Sequence, residues 1–175
     1  MNKEILKLGL ILFIICGIST ALLAGLNSVT APIIAENDAA LQEEYRKEVL
    51  PEADAFLEIS DGMFKGTKNG ETVGYAVNAA KNGYDGPVKI MVGITKDLKI
   101  SGIKILSHSE TAGLGAKCTE PSFLGQFEGK SGGLKIVKTA PSDSEIQAIS
   151  GATRTTRAVV GGVEEAIEAA KEAEK

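Results

Sequence analysis

The stretch Ser150-Gly151-Ala152-Thr153-Arg154-Thr155-Thr156-Arg157 opens the last helical pattern of the sequence. The apolar residues after it recur on one face of a helix, namely Val159, Val160, Val163, Ile167 and Ala170. This pattern predicts an amphipathic helix that packs one side on a core. Because the first N–H groups of a helix lack partners and lie at the positive end of its dipole, the small hydroxyl-bearing residues also indicate a phosphate site. A plain helix start with Ser150 or Thr153 as N-cap explains the same residues.

Upstream of this helix the pattern changes to that of strands. Short apolar or β-branched runs alternate with turn-forming clusters such as Lys68-Asn69-Gly70 and Lys96-Asp97. The runs cover residues 56–59, 72–80, 88–94 and 100–106, and a further strand is expected at 134–137. Residues 111–133 hold six glycines and no sustained period, which indicates loops and short helical turns around a site. These elements predict an α+β fold, an antiparallel sheet with flanking helices.

The N-terminal part of the sequence predicts a membrane anchor. Residues 8–35 carry no charge, and about 20 helical residues cross a hydrocarbon core of about 30 Å. Lys3 and Lys7 precede the run and Glu36 is the first charge after it, so the positive-inside rule places the N-terminus in the cytoplasm and the rest outside. A cleaved signal peptide is disfavoured by the length of the run and the lack of a clear cleavage site. A lipoprotein signal is disfavoured because an isoleucine precedes Cys16.

Pro32 is expected to break this run near the membrane surface, because the residue before a proline disfavours the helical conformation. A second, polar helix is then expected over residues 36–50, with Leu41, Tyr45 and Val49 as an apolar line that packs on the domain. The sequence therefore predicts three regions. Residues 1–35 form the cytoplasmic N-terminus and transmembrane helix, 36–55 a stalk helix, and 56–175 an extracytoplasmic domain.

Composition excludes several classes of function. A chain of 175 residues fits one folded domain and an appendage, and a net charge of −4 without a basic stripe argues against a nucleic-acid partner. His108 is the one histidine, so we expect no metal site, and Cys16 and Cys118 indicate no disulfide framework. The nucleophile elbow of hydrolases and a complete dinucleotide-binding glycine motif are both missing, so we expect no catalytic residues of the chain's own.

Two glycine-rich segments precede the quoted stretch, Gly83-Tyr84-Asp85-Gly86-Pro87 and His108-Ser109-Glu110-Thr111-Ala112-Gly113-Leu114-Gly115. With Ser150-Gly151-Ala152-Thr153, and in this order after one N-terminal span, they resemble the motifs of the FMN-binding domain family. That family includes the G subunit of Rnf electron-transport complexes and the C subunit of the sodium-pumping NADH:quinone oxidoreductase. Two positions depart from it: Ala112 stands where proline is usual, and Gln147 where an acidic residue is usual.

The resemblance implies that Thr153 carries FMN through a phosphoester, installed by a separate flavin transferase that uses FAD. The other cofactor-binding residues that it implies are Ser150, Gly151, Ala152, Gly83, Tyr84, His108, Glu110, Thr111, Gly113, Leu114, Gly115 and Lys117. We expect Tyr84 and Leu114 to flank the isoalloxazine ring, and Arg154 or Arg157 to add charged hydrogen bonds to the phosphate.

The function implied by the resemblance is that of a membrane-anchored electron-transfer subunit in the cell (inner) membrane. It would relay electrons, beside other membrane subunits, within an Rnf-type complex that couples ferredoxin:NAD oxidoreduction to Na⁺ or H⁺ translocation. Two alternatives stay open. One is a component like the C subunit of the sodium-pumping NADH:quinone oxidoreductase, and the other is a non-redox, membrane-anchored assembly module with the same fold.

Overall fold

The computed structural model describes residues 3–139 and 141–174, so residues 1 and 175, the outer limits of the predicted regions, lie outside it. The chain divides into two compact units, Met1–Glu43 and Glu44–Lys175. The first unit consists of the greater part of helix α1 (Lys3–Val49). By length and composition this helix can cross a membrane, with a mean hydropathy of 2.4 over its most apolar 18 residues and none of that window buried.

Helix α1 runs through Pro32, so the predicted break there, and with it a separate helix after residue 36, is wrong. A proline inside a helix removes one hydrogen bond and crowds the preceding turn, at a cost of about 3 kcal/mol. A helix of 47 residues keeps the rest of its hydrogen-bond ladder. In the preceding turns the hydroxyls of Ser28 and Thr30 donate to the carbonyls of Gly25 and Leu26.

The second unit is built on a five-stranded sheet in which each strand pairs antiparallel with the next along the chain. The strands are β1 (Ala55–Ser60), β2 (Met63–Lys68), β3 (Glu71–Asn82), β4 (Pro87–Thr95) and β5 (Ile100–Ser107). A 3₁₀ turn (Gly115–Thr119) and helix α2 (Pro121–Leu124) follow, then two short parallel strands, β6 (Lys135–Val137) and β7 (Glu145–Gln147), and helix α3 (Thr153–Ala173). The predicted α+β class is confirmed, whereas strands β2 and β7 are additional to the prediction.

Strand β2 was missed because its sequence does not look like a strand. It contains Gly66 and two lysines and runs into the turn at Asn69 and Gly70. Those two turn residues have φ values of +52° and +86°, the left-handed pair that joins antiparallel strands in a two-residue hairpin. A Cβ at Gly66 would lie 2.5 Å from Leu50 Cδ2 and 2.9 Å from Ala53 Cβ, so the glycine is required by close packing.

Helix α3 packs its apolar face on strands β3 and β4 and forms the main core there. The five apolar residues predicted on this face, Val159, Val160, Val163, Ile167 and Ala170, are all buried. Their core also contains Val77, Ile90, Val92, Phe127 and Ile146. This packing fixes the first turn of α3 against the sheet.

The opposite face of the sheet holds the end of helix α1. Val49 is buried with Ala76 and Met91, and Tyr45 packs against this cluster. The Ser101 hydroxyl donates to the Val49 carbonyl at 2.6 Å. Of the predicted apolar line, Tyr45 and Val49 belong to this unit and pack on the sheet.

Candidate functional site

The three motifs of the sequence meet in one cleft of about 530 Å³ in the second unit. One wall comes from the turn between β3 and β4, one from the loop after β5, and one from the first turn of α3. The lining residues are Tyr84, Glu110, Thr111, Leu114, Gly115, Gly151, Ala152, Thr153, Arg154 and Thr155. Residues as far apart in the sequence as Tyr84 and Thr155 thus form a single concave surface.

The rim of the cleft carries two exposed, largely apolar side chains. Tyr84 follows β3 in a turn that is closed by the Gly83 N–H donating to the Gly86 carbonyl at 2.8 Å, and its side chain is 68% exposed. Leu114 lies in a tight turn in which its N–H donates to the Thr111 carbonyl at 3.2 Å, and it is 47% exposed. An aromatic face and an aliphatic side chain at the rim suit a planar, partly apolar ligand.

The start of helix α3 forms the third wall. Gly151 has a φ of +77°, a left-handed conformation that glycine adopts without strain, and Ala152 is the N-cap residue. No side-chain cap hydrogen bond is formed there, so the expectation of Ser150 or Thr153 as N-cap is wrong. Thr153 is the first helical residue and is exposed at the cleft. The unpartnered N–H groups of this first turn suit an anion.

The next two threonines differ from Thr153 in both exposure and bonding. Thr155 and Thr156 are fully buried. The Thr155 hydroxyl donates to Glu110 Oε2 at 2.6 Å. The Thr156 hydroxyl donates to the Ala152 carbonyl at 3.1 Å and accepts from the Ile149 N–H at 3.1 Å. Both hydroxyls are therefore committed to holding the helix start in place.

Glu110 is the buried carboxylate of the cleft, at 7% exposure. Its Oε1 accepts from the N–H groups of Tyr84 at 2.7 Å and Asp85 at 3.4 Å, and its own N–H donates to His108 Nδ1 at 3.2 Å. Burial raises the pKa of Glu110, but the hydrogen bonds from Thr155, Tyr84 and Asp85 and the nearby His108 outweigh it. The pKa therefore lies below its ordinary value of 4.5, and the carboxylate is ionised at neutral pH.

Positive charge lies on the same side of the cleft as the helix start. The Arg154 guanidinium carbon is 5.8 Å from the centre of the Tyr84 ring, within cation–π range. Arg154 lines the cleft and Arg157 does not, which selects between the two arginines considered for the phosphate.

Five of the residues predicted for the site do not line this cleft. Gly83 and Gly113 shape its two loops, and the His108 ring accepts the Glu110 N–H. Lys117 and Ser150 line a second, smaller cleft of about 230 Å³ together with Gln147. In return the cleft contains Thr155, which the sequence motifs did not assign to it. A threonine in the first turn of a helix carries no sequence signal of a bond to a carboxylate 45 residues away.

Comparison with known proteins matches both parts of this chain to families. Residues 83–168 match the FMN-binding domain, a range that includes every residue lining the cleft, and residues 1–49 match the RnfG N-terminal region. The G subunit of the Na(+)-translocating ferredoxin:NAD(+) oxidoreductase complex of Acetobacterium woodii is 40% identical, over 95% of this chain and 91% of that protein. The G subunit of the proton-translocating ferredoxin:NAD(+) oxidoreductase complex of Clostridium ljungdahlii is 36% identical, over 90% and 86%.

Solved structures match part of the chain more distantly. Shewanella oneidensis NqrC superimposes with a TM-score of 0.52 at 26% identity, over 58% of this chain and 52% of that chain. The C subunit of the Na(+)-translocating NADH-quinone reductase of Parabacteroides distasonis has a TM-score of 0.51 at 24% identity, over 60% and 58%. This chain thus spans little more than half of each solved structure, and the second of these matches bears on the fold alone.

Proposed function

Because the chain belongs to the family of G subunits of ion-translocating oxidoreductase complexes, we propose that it is a membrane-anchored electron-transfer subunit with FMN esterified to Thr153. It works beside other membrane subunits of a complex that couples ferredoxin:NAD oxidoreduction to Na⁺ or H⁺ translocation. FMN, when bound, accepts and donates electrons at its isoalloxazine ring. The protein's own residues bind and orient it, and the covalent bond prevents its loss.

The cleft has the size and chemistry for this cofactor. A volume of about 530 Å³ lies within the range of about 300–1,000 Å³ typical of ligand sites. We place the ring between Tyr84 and Leu114, and the phosphate at the first turn of α3 beside Arg154. A Cβ at Gly151 would lie 3.1 Å from Leu114 Cδ2, so any side chain there would narrow the passage between the ring site and Thr153.

One observation carries the assignment to Thr153. Of the three threonines in the first turn of α3, Thr153 is exposed at the cleft, whereas Thr155 and Thr156 are fully buried and hydrogen-bonded within the protein. A flavin transferase has to reach the hydroxyl that it modifies. Thr153 also lies at the helix end, where the N–H groups stabilise a phosphate.

The remaining parts of the proposal concern topology and maturation. We assign residues 1–35 to the cytoplasmic N-terminus and membrane span, 36–55 to a connecting segment, and 56–175 to the extracytoplasmic FMN domain. The transferase is a separate enzyme that approaches Thr153 from solvent, and Gln147, which stands where an acid is usual, is also exposed. Between the two kinds of complex, identities of 36–40% over at least 90% of the chain favour the G subunit over the C subunit.

The test is production of the full-length protein with a flavin transferase, followed by denaturing electrophoresis and detection of flavin fluorescence in the protein band. Thr153→Val removes the hydroxyl and keeps the shape of the side chain, so it should abolish the fluorescence. Thr153→Ser keeps a hydroxyl at the same place and should retain it. The mass of the flavin-bearing peptide should locate FMN on Thr153.

Two results would reject parts of the proposal. Covalent flavin that persists in Thr153→Val, or maps to Thr155 or Thr156, would refute the assigned residue. Wild-type protein that carries no flavin after isolation from its own membrane, where the transferase is present, would favour the non-redox assembly module.

A further inference from the structure

Glu110 joins all three walls of the cleft. It stands on the loop after β5, its Oε1 accepts from the Tyr84 N–H at 2.7 Å in the turn after β3, and its Oε2 accepts from the Thr155 hydroxyl at 2.6 Å in helix α3. Among the described residues, no helix or strand contains more than one of these three segments. A carboxylate with both oxygens committed in this way ties the two loops and the helix start together.

The surrounding backbone is shaped to admit this carboxylate. A Cβ at Gly83 would overlap Glu110 Oε1, and a Cβ at Gly115 would overlap Oε2 and lie 2.8 Å from the Thr155 hydroxyl oxygen. Each carboxylate oxygen therefore faces a glycine at a distance that no other residue allows. The Glu110 carboxylate therefore accounts for the glycines at positions 83 and 115 of the two motifs.

We propose that Glu110 is a positioning residue of the FMN site, which fixes Tyr84 and the start of helix α3 relative to each other and does not itself bind the flavin. The inference rests on the proposed function for what the cleft holds, but the bridge itself belongs to the flavin-free protein. It is narrower than the cofactor-binding role that the family resemblance implies for Glu110.

The ionised state of Glu110 agrees with this role. Hydrogen bonds to a charged acceptor are about twice as strong as those between neutral groups. Cys118 is fully buried in the adjoining 3₁₀ turn. Its burial, and to a smaller extent the negative charge of Glu110, raise the pKa of its thiol to about 11.

The bridge can be tested by hydrogen–deuterium exchange on flavin-free, full-length protein in detergent. Glu110→Gln removes the negative charge from both arms of the bridge, Thr155→Val removes the arm to helix α3, and Thr155→Ser keeps the hydroxyl. We expect the amides of Tyr84 and Asp85 to exchange at least about tenfold faster in the first two variants, the equivalent of about 1.4 kcal/mol of lost protection. Thr155→Ser should exchange like the wild type. If Thr155→Val leaves the exchange at Tyr84 unchanged, the carboxylate does not couple the turn to the helix, and the proposal is overturned.

Binding of added FMN to protein made without transferase separates positioning from direct contact. A positioning role predicts that Glu110→Gln and Thr155→Val each weaken binding about tenfold and that the double variant is no weaker than either single one, because both remove the same bridge. A direct contact predicts a loss in Glu110→Gln alone. Glu145→Gln, which alters a carboxylate outside the cleft, is the matched control and should bind like the wild type.

The two proposals fail in distinguishable ways. If the wild type binds no FMN but its Tyr84 amide responds to both variants, the bridge stands and the flavin function falls. If FMN binds and neither variant changes it, the flavin function stands and the positioning role falls. Thermal unfolding monitored by circular dichroism identifies any variant that fails to fold, and if either Glu110→Gln or Thr155→Val does so, the other still tests the bridge.

Discussion

At the scale of single residues, Glu110 makes stability depend on pH in a defined direction. Its pKa is lowered by folding, so its contribution is fully present above the ordinary value of 4.5 and is lost as the pH falls below it. We expect Glu110→Gln to reduce the free energy of unfolding by about 1–3 kcal/mol at pH 7, because buried donors lose a charged acceptor. The difference from the wild type should shrink as the pH falls towards 3. Urea unfolding at pH 7, 5, 4 and 3 measures it.

Glu165→Gln is the control for this pH series. Glu165 forms an exposed ion pair with Lys81 at 3.1 Å, and such pairs contribute little to stability. Its effect should be small at every pH. If the difference in unfolding free energy between the wild type and Glu110→Gln stays constant down to pH 3, the charge of Glu110 is not what stabilises the fold.

Cys118 provides a second prediction at this scale. A thiol pKa of about 11 leaves about one thiolate in a thousand at pH 8, and only the thiolate reacts rapidly with maleimide. In a Cys16→Ser background, Cys118 should therefore resist maleimide for hours in the folded protein and react within minutes in 6 M guanidinium. Rapid labelling of the folded protein would show that the 3₁₀ turn opens readily.

The residues of the site were only partly predictable from sequence. The motifs correctly brought Tyr84, Leu114 and Thr153 into one cleft, because glycine-rich turns and a helix start carry local signals. Lys117 lies in a different cleft. It follows Gly115 by two residues in the 3₁₀ turn, so its side chain points away from the cleft that Gly115 lines. The bond between Glu110 and Thr155 depends on the docking of α3 on the sheet, which local sequence does not encode.

At the scale of elements, periodicity predicted the strands with apolar runs and the buried face of α3. It failed at β2 and at the three-residue β7, which lack such runs, and at Pro32, where the length of α1 outweighs one lost hydrogen bond. Each miss comes from a tertiary or cooperative effect that overrides a local preference. Gly66 is the plainest case, since it weakens the strand pattern and yet is required by the packing of Leu50 and Ala53.

The contact between the end of α1 and the sheet yields a prediction at this scale. A Cβ at Gly93 in β4 would overlap the Val49 carbonyl and lie 2.5 Å from the Ser101 hydroxyl oxygen, so Gly93→Ala must push the helix end off the sheet. We expect a loss of about 1–3 kcal/mol in the free energy of unfolding. Gly161→Ala in α3 is the matched control, because its nearest neighbour would be Lys81 Cγ at 3.9 Å and alanine favours the helix by about 0.5–1 kcal/mol. In urea unfolding, a lower free energy of unfolding for Gly93→Ala and a higher one for Gly161→Ala would confirm the contact. A change of the same sign in both variants would contradict it.

At the scale of the whole molecule, the proposed orientation in the membrane rests on the charges on either side of the apolar run. Lys3 and Lys7 precede it, whereas Glu36, Asp38, Glu43 and Glu44 follow it before the first lysine or arginine of the second unit. Positive residues are retained on the cytoplasmic side. The proposed orientation therefore puts the FMN-binding domain outside the cytoplasm, and Thr153 would be modified on that side of the membrane.

Single-cysteine variants test this orientation in intact cells. Cys16→Ser leaves Cys118, which is buried and should stay unlabelled, so any new label reports on an introduced cysteine. Asp61→Cys lies in the exposed turn between β1 and β2 and should react with a membrane-impermeant maleimide added outside the cytoplasmic membrane, after the outer membrane, where there is one, has been made permeable. Glu4→Cys, before the apolar run, should react only after the cytoplasmic membrane is also opened. The reverse pattern would place the domain in the cytoplasm, and with it the hydroxyl of Thr153 that the transferase has to reach.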